Sequence, residues 1–182
     1  MPEVLILTGP HGAGKSSAAE ALAERYDRVA HIPVDALRHF ITPTGYVAPG
    51  KPGFERQHAL AIRNACALAR NFLQERIAVI IDDVVVTRAD LDDYLTELRQ
   101  AGAPVHCIRL MPGLEVCQAR NRERSAERQP ATRVETVWRQ FEAAGELPGS
   151  TIDNSELSTH ATADRMQALT TSGESIVLRA DG

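Results

Sequence analysis

Eight consecutive residues near the N-terminus have the types and spacing of a phosphate-binding loop. They read Gly-Pro-His-Gly-Ala-Gly-Lys-Ser, which meets the pattern G-x-x-x-x-G-K-[ST]. Glycines let the backbone approach phosphate oxygens, and the amides of such a loop point at the anion. Lys15 would reach the β- and γ-phosphates of a nucleoside triphosphate, and Ser16 would supply a hydroxyl to Mg²⁺. The predicted nucleotide-binding residues are Gly9, Pro10, His11, Gly12, Ala13, Gly14, Lys15, Ser16 and Ser17.

A second acidic motif follows an apolar run later in the chain. Residues 77–83 read Ile-Ala-Val-Ile-Ile-Asp-Asp. An apolar strand that ends in aspartate, downstream of a phosphate-binding loop, is typical of a carboxylate that holds Mg²⁺ or its water shell. Successive side chains of a strand point to opposite faces, so Asp82 and Asp83 cannot both point toward the same site. We predict that Asp82 serves the metal, with Asp83 as the alternative metal ligand or a contact of the substrate.

Asp35 and Arg38 lie just beyond the second predicted strand. A carboxylate near the γ-phosphate can accept the proton of an attacking hydroxyl, so Asp35 is a candidate catalytic base. The alternative is that Asp35 only caps the short helical turn that follows it. Arg38 lies on the same helical face as Asp35 and could bind substrate or pair with Asp35.

An arginine-rich segment supplies further candidates for phosphate binding. Six arginines fall within twenty residues, interleaved with glutamates, and about half of them would belong to a solvated helix face. Arg120 and Arg124 share one helical face, and we predict that they stabilise charge on the transferring phosphoryl group. No aromatic residues alternate with these arginines, which weighs against a single-stranded nucleic-acid site.

The elements that must position these residues alternate between strands and helices, which predicts an α/β domain with a parallel sheet. The loop over residues 42–53, rich in proline and glycine, is long enough to be functional. Residues 176–178 are either an edge strand or loosely attached. The predicted strands are 4–8, 29–34, 77–81, 105–110 and 151–153. The predicted helices are 16–26, 35–40, 54–74, 89–101, 114–124, 134–144 and 160–169.

The composition is that of one ordinary globular domain spanning residues 1–182. The net charge of −4 disfavours a polyanion-binding protein. Cys66, Cys107 and Cys117 form no C-x-x-C pair, which argues against a zinc site and for a reducing compartment. The chain lacks both an apolar run of about 18 residues and a basic, apolar leader, so we expect a cytoplasmic protein without a membrane span.

Four segments, in order, carry a family resemblance across most of the chain. They are GPHGAGKSS at 9–17, PVDALRHFI at 33–41, IIDDVVVTR at 80–88 and LMPGLEVCQARNRER at 110–124. The chain resembles the small P-loop kinases, and most of all the group with chloramphenicol phosphotransferase, zeta toxins and the kinase domain of polynucleotide kinases. The resemblance implies a three-layer P-loop NTPase fold with a five-stranded parallel sheet in the order 2-3-1-4-5. It also implies a helical lid at about residues 120–135.

The same resemblance implies roles for individual residues. The position of Asp35 is that of the family's base for the acceptor hydroxyl, and Arg120 and Arg124 fall in the lid over ATP. The acceptor-recognition segment is about residues 36–65 and matches the family least well from residue 42 onward. We therefore expect Arg38, Asp83 and His58 to contact an acceptor that the sequence does not identify.

Three functions compete on this basis. The first is an ATP- and Mg²⁺-dependent kinase for a hydroxyl of a small molecule, such as an antibiotic or a sugar-like metabolite. The second is a nucleic-acid 5′-hydroxyl kinase, which the acidic net charge disfavours. The third is a nucleotide switch, but the chain lacks the N-K-x-D and D-x-x-G motifs of a GTPase. Resistance, toxin and metabolic roles remain open, as does the oligomeric state.

Overall fold

A six-stranded sheet forms the centre of the computed structural model, which describes residues 2–42, 45–123 and 129–180. Five strands are parallel in the order β2-β3-β1-β4-β5, which confirms the predicted fold class. The sixth runs antiparallel to β4 and extends the predicted sheet. The strands are β1 (Val4–Thr8), β2 (Val29–Pro33), β3 (Ala78–Asp82), β4 (Val105–Leu110), β5 (Ser150–Ile152) and β6 (Ile176–Leu178).

Helices cover both faces of this sheet, so β1, β3 and β4 are buried along their whole length. One apolar core lies under α3 and α4, and the other lies under α1 and α7. Burial on both faces explains why β1 and β3 have nearly continuous apolar runs rather than alternating ones, whereas β4 also buries His106 and Arg109. The helices are α1 (Lys15–Ala23), α2 (Val34–His39), α3 (Phe54–Gln74), α4 (Arg88–Leu98), α5 (Leu114–Glu123), α6 (Ala131–Ala144) and α7 (Thr159–Ser172).

The observed boundaries differ from the predicted ones by a few residues. Helix α1 ends at Ala23 instead of residue 26, and residues 24–26 continue as turns. Helix α6 begins at Ala131 rather than residue 134, because Pro130 occupies its N-cap and the polar break ends there. Strand β3 reaches Asp82, so this carboxylate belongs to the last position of the strand.

The predicted lid, about residues 120–135, takes in the end of α5 at Glu123 and the beginning of α6 at Ala131. Asn121 spans this connection, because its side-chain amide donates to the carbonyl of Gln129 and its side-chain oxygen accepts from the Gln129 amide. These two bonds join the last turn of α5 to Gln129, two residues before α6. Arg124, a predicted catalytic residue, lies outside the described residues.

Two expectations drawn from composition can be compared with the structure. All three cysteines are free and buried. Burial raises the pKa of the Cys66 thiol to about 12 and that of Cys117 to about 11. None of the helices in the described part of the chain combines the length and the apolar character that crossing a membrane requires.

Candidate active site

The phosphate loop, Gly9–Ser16, leaves the carboxyl end of β1 and packs closely on its neighbours. Gly12 has φ +82°, and a Cβ there would lie 2.2 Å from the carbonyl oxygen of Cys117 in α5. A Cβ on Gly9 would lie 2.3 Å from the carbonyl oxygen of Leu110. These two positions therefore need glycine both to form the loop and to let it approach β4 and α5.

Lys15 begins α1 and folds back over the loop. Its Nζ donates to the carbonyl oxygens of Gly9, at 2.9 Å, and Pro10, at 3.4 Å. Gly14 occupies the N-cap of α1 without a side-chain capping bond, and the first turn of the helix carries no acidic residue. The first amides of α1 and the Lys15 ammonium can thus face an anion held in the loop.

Ser16 and Asp82 meet directly beside the loop. The Ser16 hydroxyl donates to Oδ2 of Asp82 at 2.8 Å, and Nε2 of His31 lies 3.7 Å from the same oxygen. Burial alone would raise the pKa of Asp82, but His31, Lys15 and Ser16 together lower it. The carboxylate is therefore ionised at neutral pH.

This hydroxyl and carboxylate are oxygen donors of the kind that Mg²⁺ prefers. No cluster of three or more acidic, histidine or cysteine ligands occurs among residues 2–42, 45–123 and 129–180. Mg²⁺ in phosphoryl-transfer sites is held by one or two protein oxygens together with water and substrate phosphates. The pair fits such a site.

Asp83 points away from Asp82, as alternation along a strand requires. It is buried, and its Oδ2 accepts a 2.7 Å hydrogen bond from the hydroxyl of Tyr94 in α4. Its Oδ1 lies 3.4 Å from Nη2 of Arg38. Asp83 therefore holds an arginine in place.

Arg38 joins the ends of β2 and β3. Its Nη1 lies 3.5 Å from Oδ1 of Asp35, and its Nη2 is hydrogen-bonded to Nδ1 of His58 as well as paired with Asp83. Pro33, not Asp35, is the N-cap of α2, and no side chain caps this helix. The capping alternative for Asp35 is therefore wrong, and its carboxylate is 67% exposed.

Aromatic rings surround the Arg38 guanidinium. Its central carbon lies 5.9 Å from the ring centre of Tyr46 and 5.8 Å from that of Phe54. Phe54 also stacks on His58, with ring centres 5.6 Å apart and planes 8° apart. We refer to Asp35, Arg38, Tyr46, Phe54, His58 and Asp83 as the acceptor cluster.

The loop that carries Tyr46 is fastened to α3 by one buried side chain. Gln57 donates to the carbonyl of Gly45 at 2.7 Å and accepts from the amide of Val47 at 2.8 Å. Because the Gln57 side-chain amide is bonded to the residues on both sides of Tyr46, it holds the Tyr46 ring near Arg38. The sequence reasoning placed Gln57 in the acceptor-recognition segment without a role.

Arg120 lies on the other side of the phosphate loop. It donates to the backbone oxygens of Ala13, at 3.4 Å, and Asn154, at 2.9 Å. Asn154 in turn donates through its side chain to the Ala13 carbonyl at 3.0 Å, while its buried Oδ1 has no hydrogen-bond partner. The end of β5 and helix α5 thus both contact the loop.

A cleft of about 300 Å³ opens next to these contacts. Six residues on its walls are Gly14, Ser17, Arg120, Glu123, Asn154 and Thr159. The cleft adjoins the phosphate loop on the side opposite the acceptor cluster. It is large enough to take part of a bound molecule whose phosphates occupy the loop.

The structure thus brings together most of the predicted residues at one edge of the sheet. Sequence reasoning missed five others: His31, Tyr46, Phe54, Tyr94 and Asn154. The sequence pattern around these residues does not predict their contacts. Asn154 does directly follow a predicted strand, as Asp35 does, and this position could have identified it. His11, at a variable position of the loop, is half-buried.

Of two sequence comparisons, one finds a match. Residues 4–148 match the family model described as an AAA domain. A comparison with curated protein sequences gives no significant match.

Solved structures share the fold over nearly the whole chain. A sugar kinase from Janibacter sp. HTCC2649 has a TM-score of 0.71 at 16% identity, covering 94% of this chain and 95% of that one. The tunicamycin resistance protein of Deinococcus radiodurans has a TM-score of 0.68 at 22% identity, covering 97% and 98%. A gluconokinase from Sinorhizobium meliloti 1021 has a TM-score of 0.65 at 19% identity, covering 95% and 94%.

These likenesses establish the fold of P-loop kinases. Because the family model matches well over half of its residues, the chain belongs to the AAA domain family.

Proposed function

We propose that the protein is an ATP- and Mg²⁺-dependent phosphotransferase that moves the γ-phosphate to a hydroxyl of a small molecule. The observation that carries this proposal is the pairing of two sites across neighbouring strand ends. Ser16 and Asp82 meet beside the phosphate loop, and Asp83, the next residue, holds Arg38 next to the exposed carboxylate of Asp35. The proposed nucleotide-binding part of the site and its acceptor-binding part are therefore adjacent.

The nucleotide would span the phosphate loop and the cleft beside α1. Its β- and γ-phosphates would accept from loop amides and from Lys15, which would exchange the Gly9 carbonyl for phosphate oxygens. The base and ribose would enter the cleft between Arg120 and Asn154.

Ser16 and Asp82 would hold Mg²⁺, which when bound neutralises charge on the β- and γ-phosphate oxygens. The depressed pKa of Asp82 keeps this carboxylate ionised for that role. Lys15 and Arg120 would add positive charge on the nucleotide side, and Arg124 would act from the lid.

Transfer consists of one displacement at phosphorus. The acceptor oxygen forms a bond to the γ-phosphorus while the bond from that phosphorus to the β,γ-bridging oxygen breaks, and ADP leaves. The proton of the acceptor hydroxyl passes to the carboxylate of Asp35. Arg38, held by Asp83 and His58, keeps Asp35 oriented for this task.

Relatives with the same fold include a sugar kinase and a gluconokinase, which supports a hydroxyl acceptor. The tunicamycin resistance protein keeps antibiotic inactivation open. We retain the chloramphenicol phosphotransferase, zeta toxin and polynucleotide kinase-like group as the placement within P-loop kinases, on the four sequence segments that carry it. Toxin and nucleic-acid kinase roles stay as alternatives.

The test is ADP release from ATP and Mg²⁺ in the presence of a library of hydroxyl compounds. Asp35→Asn should lower kcat by about 10²- to 10⁴-fold, because the catalytic base is lost. ATP affinity should be kept, because Asp35 lies outside the proposed nucleotide-binding residues. Lys15→Ala should abolish both transfer and tight ATP binding. Lys51→Ala, at the other lysine of the chain, is the control for ATP affinity.

Two results would refute the proposal. One is full turnover by Asp35→Asn, which would remove this residue as base. The other is tight ATP binding without phosphate transfer to any hydroxyl compound, which would favour a nucleotide switch.

A further inference from the structure

The charges of the acceptor cluster limit the kind of molecule that it can bind. Asp35 and Asp83 each contribute a negative charge, and Arg38 contributes a positive one. Both terminal nitrogens of Arg38 already have partners within the cluster: Asp35 at Nη1, and Asp83 with His58 at Nη2. Its Nε is buried without a hydrogen-bond partner, and the side chain as a whole is only 8% exposed. The guanidinium is therefore closed to a ligand, and the exposed group of this pair is the Asp35 carboxylate.

His58 adds a neutral donor rather than a second cation. Arginine has only N–H donors, so Nδ1 of His58 must accept the bond from Arg38 and cannot carry a proton. The proton of the neutral imidazole then resides on Nε2. This ring nitrogen can donate to a hydroxyl or carbonyl oxygen of an acceptor but supplies no charge to balance an anion.

Aromatic side chains complete the cluster. Tyr46 and Phe54 are half-buried around Arg38, and Phe40, at the end of α2, is 76% exposed. Three of the eight Phe, Tyr and Trp residues of the chain thus fall within the predicted acceptor segment of residues 36–65. Such rings offer flat apolar surface to a planar or apolar part of a ligand.

We propose that the acceptor is an alcohol that carries no negative charge and bears an aromatic or similarly flat apolar group, and that the cluster excludes carboxylate-bearing alcohols. The inference rests on the proposed phosphotransferase function and names the substrate class of the same site. An uncharged hydroxyl can approach Asp35 and donate to it. An anionic group on the same molecule would face Asp35, and the Arg38 guanidinium is buried, so it could not contact that group to offset the repulsion.

Three compounds that share a phenyl ring and a hydroxyl test this assignment by charge. They are 2-phenylethanol, which is neutral, phenylalaninol, which is cationic, and 3-phenyllactate, which is anionic. Their dissociation constants are measured by ligand-observed NMR on the full chain with ADP and Mg²⁺. Transfer from ATP is measured in parallel. We expect 2-phenylethanol to bind at least about tenfold more tightly than 3-phenyllactate, because like charges repel across the cluster.

Two variants separate charge from packing. Asp83→Asn removes one negative charge and one ion-pair partner of Arg38. The ratio of the dissociation constant of 3-phenyllactate to that of 2-phenylethanol should therefore fall by at least about threefold. Tyr94→Phe perturbs the same carboxylate without a change of charge and should keep that preference. If Asp83→Asn fails to fold, the wild-type ranking still decides the question.

A second pair of variants tests the aromatic surface. Phe54→Leu should weaken binding of 2-phenylethanol more than that of glycerol, an alcohol without a ring. Phe72→Leu, at a half-buried phenylalanine of α3 packed on the core outside the cluster, should leave this ratio unchanged.

Equal or tighter binding of 3-phenyllactate would overturn the inference, as would no detectable binding of the neutral and cationic compounds. Binding in the expected order without phosphate transfer would instead uphold the acceptor class and contradict the proposed function. The two failures are thus distinguishable.

Discussion

Asp82 and Asp83 show how two adjacent carboxylates acquire different tasks. Asp82 ends β3 on the side of the phosphate loop and pairs with Ser16. Asp83 faces the other way and is enclosed by Tyr94 and Arg38. Alternation along the strand was enough to predict that only one of them would serve the metal. The contact of Asp83 with Tyr94 depends on how α4 packs, which no local pattern reveals.

Tyr94→Phe tests whether Asp83 positions the acceptor cluster. The variant leaves a buried carboxylate oxygen without its 2.7 Å partner, which should cost about 1–3 kcal/mol of unfolding free energy. Because Asp83 would then hold Arg38 less firmly, we expect a higher KM for the acceptor with the KM for ATP unchanged. Steady-state kinetics with each substrate varied in turn measures this split.

Tyr26→Phe is the matched control, since Tyr26 also donates to a carboxylate, that of Glu3 at 2.6 Å, but lies at the opposite edge of the sheet. It should lose stability without a change in either KM. A rise in the KM for ATP alone in Tyr94→Phe would assign Asp83 to the nucleotide-binding part of the site instead.

Among the elements, those with strong apolar patterns were predicted best. The runs that became β1 and β3 are fully buried, so nearly every position had to be apolar. The glycine pattern of the phosphate loop reports a backbone requirement and therefore predicted the loop residue by residue. Strand β6 is only three residues long and antiparallel, and its attachment to β4 was left open.

The parts of the site that escaped prediction depend on contacts between distant segments. Tyr46 reaches Arg38 because Gln57 fastens its loop, and Asn154 reaches Ala13 from 141 positions away. Polar and aromatic residues in loops follow no period that would announce such contacts.

The packing of the phosphate loop on α5 gives a prediction at the level of elements. Gly12→Ala places a methyl 2.2 Å from the Cys117 carbonyl, and rigid backbone on both sides cannot easily yield. We expect a loss of several kcal/mol in unfolding free energy, of the size seen for overpacking plus backbone strain, with weaker ATP binding. Thermal unfolding and ATP titration measure the two effects.

Gly50→Ala distinguishes the effect of backbone strain from that of the steric clash with α5 that Gly12→Ala would cause. Gly50 has φ +78°, close to the value at Gly12, but no atom lies within 4 Å of its added Cβ. This variant should lose about 1 kcal/mol through backbone strain alone and keep its ATP affinity. Equal losses in the two variants would show that contact with α5 is unimportant.

On the scale of the whole molecule, the two ends of the sheet have different roles. The carboxyl ends of β1, β2, β3 and β5 carry the candidate site. At the amino ends, buried polar groups connect segments that are distant in sequence. His106 of β4 contacts Ser175 at 2.9 Å and lies 3.5 Å from Glu3, which also accepts from Tyr26. These contacts join both ends of the described chain to the sheet.

This amino-end network predicts how stability depends on pH. Burial lowers the pKa of His106 below its usual value near 6.5, although Glu3 partly offsets the effect. The unfolded chain therefore takes up a proton at about pH 6.5, whereas the folded chain resists until lower pH. The unfolded state binds more protons over this interval, so the stability contributed by neutral His106 is present above pH 6.5 and declines as pH falls.

His106→Gln should lower Tm at pH 7.5, because the contact with Ser175 is altered, but it should flatten the decline of Tm between about pH 7 and pH 5.5. His160→Gln changes an exposed histidine and should retain the wild-type slope. Thermal unfolding of the three proteins across this range measures both effects. An unchanged slope in His106→Gln would show that this histidine takes up its proton equally in the folded and unfolded states, and the acid sensitivity would then originate in the carboxylates of the site.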